Sequence, residues 1–191
     1  MPGTYVEYTG TNPIEKIKAY SQSYRLSTKH MRVSTYLARL DDWARKTEYG
    51  YPSDHNNAGY YPDEDPPKIC CGYMPFKARD HMGYNNCPDQ KSTNGGSLLG
   101  GTVLALSEFG KLIPGMELFQ GTTHMGVYAG VKVFPKGGAQ NAVYQSVAGS
   151  LGAVEQMYTP DTNSGPNLTT MNSSAGWPDW SWPRDVILDN V

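Results

Sequence analysis

The chain has 191 residues, of which 38% are hydrophobic, and its 16 basic and 18 acidic residues leave a net charge of -2. That length suits one domain able to bury a core without metals or disulfides, and the balanced charge, with no long run of either sign, argues against an electrostatic grip on nucleic acid. The 21 Gly, 14 Pro and 14 Tyr argue against a helical bundle, no apolar run approaches the ~20 residues of a membrane span, and the opening MPGTYVEYTG lacks the basic and apolar segments of an export signal.

Residues 1–12 read as a polar tail, and residues 13–191 as a single domain. Asn12-Pro13 predicts a capped helix start with proline in its first position, followed by Ile14, Ile17, Tyr20 and Tyr24 on one face over about three turns. Ser34 to Lys46 carries Tyr36, Leu37, Leu40, Trp43 and Ala44 at three- and four-residue spacing, which predicts a second amphipathic helix that completes a helical part over 13–47. Residues 48–68 hold Pro, Gly and Tyr without a sustained period and read as a long loop, whose tyrosines either line a groove or form a plain surface excursion. The core, residues 69–191, begins at Ile69-Cys70-Cys71-Gly72 and passes through a Gly/Asn-rich stretch to Gly101. Thr102 to Leu112 predicts a short helix, and Pro114-Gly115 a turn into a strand over Met116 to Phe119.

From His124 the side chains alternate, with Met125, Val127 and Ala129 on one face and His124, Gly126 and Tyr128 on the other, the period of a half-buried strand. Ala142 to Ala148 alternates likewise, and the Pro-Lys-Gly-Gly of Pro135 to Gly138 between them is a turn signal, so the two runs predict a hairpin. A fold near residues 134 and 135 sets His124 opposite Gln145 with Cβ atoms about 5 Å apart, within reach of a bond from a ring nitrogen to the amide. Beyond the hairpin, residues 151–175 read as loop with one strand over Ala153 to Tyr158. Trp177, Trp180 and Trp182 then crowd six residues and read as a clamp for the C-terminal end, ahead of a strand over Val186 to Leu188. Asn167 and Asn172 head glycosylation sequons, which carry no weight without a sign of secretion.

A cysteine nucleophile needs a base to make thiolate at neutral pH and a third group to orient that base. Cys70, 54 residues before His124, together with Gln145 on the neighbouring strand, supplies such a set. The odd number of cysteines, Cys70, Cys71 and Cys87, leaves at least one thiol free. Against this stands the commoner role of a buried cysteine as a small hydrophobe and of a strand histidine as a satisfied polar group. The cysteines and histidines show no paired zinc-ligand spacing, so no metal and no cofactor is expected.

Two stretches resemble the NlpC/P60 family of papain-like cysteine peptidases, particularly the divergent forms in phage and gut-bacterial cell-wall lysins. Ile113 to Phe119 is similar to the family's PGDLVFF, and His124 to Gly130 to its HVGIYIG. The ending over Trp177 to Pro183 resembles that of some phage-type members. The resemblance implies an α+β, papain-like fold with a small antiparallel sheet packed against helices, and hydrolysis of peptide or amide bonds in bacterial peptidoglycan. It implies Cys70, at the place of the family's DCSG, as nucleophile, His124 as base and Gln145 as the polar residue that orients it. Tyr60 or Tyr61 takes the place of a substrate-side tyrosine. Cys71 is the alternative nucleophile and Cys87 ranks third. Ile69 departs from the motif's acid, and Pro75 falls where the helix behind the nucleophile would be in its second turn, a place that disfavours proline. Action at the cell wall without an export signal fits a phage or virion-borne protein, with other virion proteins as possible partners. A protein that keeps the fold as a virion or surface component without turnover is the rival reading.

Overall fold

The computed structural model describes residues 12–45, 60–61, 68–79, 97–101, 110–121, 124–147, 154–158, 165–171 and 176–191. Two amphipathic helices open it. In α1 (Pro13–Tyr24) the Asn12 side chain accepts the Ile14 N–H at 3.0 Å, satisfying one of the donors a helix start leaves unpaired, and Ile17, Tyr20 and Ser21 are buried. In α2 (Val33–Arg45) the buried residues Val33, Tyr36, Leu40 and Ala44 fall at three- and four-residue spacing, so one stripe faces the core. The short α3 (Tyr73–Arg79) follows the cysteine pair.

Among the described residues the main sheet has six strands, all pairs antiparallel, in the order β4-β9-β5-β6-β7-β8. These are β4 (Ser97–Gly101), β5 (Glu117–Gln120), β6 (His124–Phe134), β7 (Gly138–Val147), β8 (Gly165–Thr170) and β9 (Asp179–Pro183). Two small pairs complete it: β1 (Met31–Arg32) runs parallel to β10 (Val186–Ile187), and β2 (Tyr60–Tyr61) lies antiparallel to β3 (Lys68–Ile69). Mixed helices with a small antiparallel sheet make the chain α+β, as expected.

Register sorts the side chains of the central strands. Glu117, Val127, Tyr144 and Leu168 are successive partners across four strands, so they share a face. That face meets the helices: Tyr36 of α2 donates to Glu117, and Tyr144 donates to Asp41 of α2 at 3.0 Å. Leu118, Gly126, Gln145 and Asn167 partner one another in the same way on the opposite face, to which alternation also assigns His124.

Several expectations need correction. The strand over Ala153 to Tyr158 reduces, among the described residues, to one bridge between Gln156 and Thr169, and the outer strand of this region is β8 instead. The tryptophans do precede the strand expected near Val186, which is β10, but Trp180 and Trp182 themselves lie within a strand, β9, that was not expected. Ser97 to Gly101, read as part of a Gly/Asn-rich connection, pairs with β9. The helix over Thr102 to Leu112 falls mostly outside the described residues, as do Cys87, Asn172 and most of the loop over 48–68.

Candidate active site

The β6–β7 hairpin turns at residues 135–137, closed by Phe134 opposite Gly138, whose φ of 68° is the left-handed conformation that tight hairpins need. A bulge between Tyr128 and Gly130 then advances β6 by one residue, Gly130 itself adopting φ of 83°. Together these pair Gln145 with Gly126 and not with His124. The slip is two residues, so both side chains keep the same face and meet diagonally. His124 Nε2 and Gln145 Oε1 lie 2.6 Å apart.

The contact continues. The Gln145 amide donates to Thr169 Oγ1 of β8 at 2.6 Å, which turns Oε1 toward the histidine. An amide oxygen only accepts, so Nε2 carries the proton and the lone pair is left on Nδ1. Trp177 packs its ring 5.6 Å from the imidazole, and Gly126 makes room for it: a Cβ there would stand 3.1 Å from the indole and 2.8 Å from the Tyr144 carbonyl. Burial pushes the His124 pKa below the ordinary 6.5, outweighing the bond from Gln145, so the ring is neutral at pH 7.

Cys70 and Cys71 are buried thiols. Their segment is tied to the same strand pair, because Ser146, next to Gln145, donates to the Ile69 carbonyl at 2.5 Å. Ser146 faces the helices, however, so this tie lies on the face opposite His124. Among the described residues no hydrogen bond joins His124 to either cysteine. Pro75 proves compatible with the helix behind them: α3 begins at Tyr73, which puts the proline in the first turn, where its missing N–H would have no helical partner. The Cys70 carbonyl accepts from Met74 N–H at 3.1 Å. The Tyr60–Tyr61 backbone pairs with Ile69 and Lys68, directly ahead of Cys70.

Thr169 and Trp177 are site residues that sequence reasoning missed. Nothing in GPNLTT marks a ligand-orienting threonine, and Trp177 stood out only as part of a tryptophan cluster. Among the described residues no group of three or more His, Cys, Asp or Glu is arranged to hold a metal ion. No family model matches the chain, and no curated protein or solved structure matches it either.

Proposed function

We propose that the chain is a papain-like cysteine peptidase or amidase of NlpC/P60 type that hydrolyses peptide bonds in bacterial peptidoglycan. The observation that carries this reading is the His124–Gln145–Thr169 chain: it holds a neutral imidazole with Nε2 protonated and Nδ1 open as base. In the proposed reaction His124 Nδ1 takes the Cys70 thiol proton as sulfur attacks the carbonyl carbon, and returns it to the departing amine when the C–N bond breaks. Water, deprotonated by the same nitrogen, then releases the acid from the thioester. Gln145, being neutral, orients the ring while stabilising imidazolium less than a carboxylate would. Reaction requires the Cys70 turn and the imidazole to close on each other around the end of the sheet. The peptidoglycan substrate, and a phage or virion origin, rest on the sequence resemblance alone.

A non-enzymatic virion or surface protein on the same scaffold is the second reading, favoured by the burial of Cys70 and Cys71 and by their lack of a bond to His124. Thiol labelling at pH 6 with peptide mapping, paired with digestion of purified cell walls, decides between them. The hydrolase reading expects fast alkylation of Cys70 and wall digestion abolished by Cys70→Ala and by His124→Ala. Slow labelling of every thiol with no digestion of any wall preparation would leave the scaffold without its chemistry.

A further inference from the structure

On the helix face of the sheet, opposite His124, an open groove of about 650 Å³ lies between α2 and the strands β6, β7 and β8. Leu37, Met157 and Leu168 make its apolar walls, while Arg45 and Lys132 supply positive charge. The arrangement of Arg45 is distinctive. Its Nε donates to Asp41 at 2.6 Å and its guanidinium lies 4.5 Å from the centre of the Tyr158 ring, so the plane is held from an edge and a face. Asp41 also accepts from Tyr158 at 2.8 Å and Tyr144 at 3.0 Å. Burial alone would raise the Asp41 carboxyl, but the bonds from Arg45, Tyr158 and Tyr144 outweigh it and hold the group ionised. The aspartate is therefore committed to fixing the arginine.

The outer edge of that guanidinium remains open. Among the described residues neither Arg45 Nη group nor Lys132 Nζ forms a hydrogen bond, and the Arg45 side chain is 59% exposed. A planar fork whose orientation is already fixed matches a carboxylate with little further loss of rotamer freedom. Leu37 and Met157, only partly buried on the groove's walls, offer apolar surface that a small inorganic anion would leave uncovered. We infer that this groove binds the C-terminal carboxylate of a short peptide, with Arg45 and Lys132 on the carboxylate and the apolar walls on the last side chain. The inference does not depend on any role for His124.

The test is an NMR titration of the whole chain with N-acetyl-alanyl-leucine as the free acid and, separately, as its C-terminal amide. The acid is expected to saturate shifts at Arg45, Lys132 and Tyr158 with affinity at least about tenfold tighter than the amide, the effect of one charge-assisted fork. Arg45→Gln should cost about tenfold, and Arg45→Lys, which keeps the charge and loses the fork, most of that. Both variants change an exposed side chain, and an unchanged spectrum away from the groove confirms their folding. Absence of saturable binding, equal binding of acid and amide, or full binding by Arg45→Gln overturns the inference. So does acetate binding as tightly as the peptide acid, since the apolar walls would then contribute nothing.

Discussion

At the scale of single residues, the imidazole of His124 is governed by two opposed influences. Burial holds its pKa below 6.5, and the neutral Gln145 amide raises it by less than burial lowers it. The sign for stability follows: below about pH 6.5 the unfolded chain takes up a proton that the folded ring refuses, so the His124 contribution falls as pH drops through that value. Gln145→Glu tests the balance, because a carboxylate 2.6 Å from Nε2 favours the charged ring. NMR titration should show His124 titrating below the ordinary histidine range in the wild type and at least about one unit higher in Gln145→Glu. An unmoved ring pKa would mean that the Gln145 contact does not set its protonation. Burial also disposes of one sequence signal, since the Asn167 amide is 2% exposed and donates to Gln156 and the Tyr158 carbonyl, leaving it no room to carry a glycan in the folded chain.

At the scale of elements, α3, β5 and the turn after β9 meet at a buried ionic cluster. Arg79 lies 3.3 Å from Glu117 and 3.4 Å from Asp185, and all three are almost fully buried. Burial raises the Glu117 carboxyl even though Arg79 opposes it, so Glu117 costs stability at neutral pH and that cost shrinks as pH falls through its raised value. Unequal losses follow. Arg79→Met strands two buried carboxylates and should destabilise the fold by about 3–5 kcal/mol, whereas Glu117→Gln leaves one cation facing Asp185 and should cost much less. Urea denaturation of the two variants at pH 7 compares them, and equal losses would refute this view of the cluster. None of this was legible in the sequence, where a lone arginine and two distant acids show no pattern. Periodicity did reveal α1 and α2, each with one buried face, and the β6–β7 hairpin, whose residue types alternate although both faces are buried at its centre. It missed β8, whose six residues are buried throughout and so show no alternation, and whose Gly165 and Pro166 read as loop although an edge strand tolerates proline. The diagonal meeting of His124 and Gln145 survived a wrong register because the bulge and the three-residue turn moved it by an even number. Thr169 lay on the missed strand and went with it.

At the scale of the whole molecule, the last eight residues join the N-terminal helices to the sheet. Val186 and Ile187 are fully buried and pair with Met31 and Arg32, the Val186 carbonyl accepts from Trp182 Nε1 at 2.8 Å, and Leu188 N–H donates to Ser21 of α1 at 3.0 Å. Asp189 accepts from both the backbone N–H and the hydroxyl of Ser34, so a residue 155 positions away caps the start of α2. Ending the chain at Pro183 would remove two buried aliphatic side chains at about 1.5–3 kcal/mol each. It would also remove Asp185 from beside Arg79, leave the Trp182 N–H buried without its acceptor, and take away the cap. The sum approaches the roughly 5–15 kcal/mol that holds a typical domain folded. Circular dichroism melts should therefore show no cooperative transition for the shortened chain, whereas Asp189→Ala, which loses the cap alone, should stay folded and lose only about 1 kcal/mol. A shortened chain that melts cooperatively within a few degrees of the full one would show that α1 and α2 hold to the sheet without this strap.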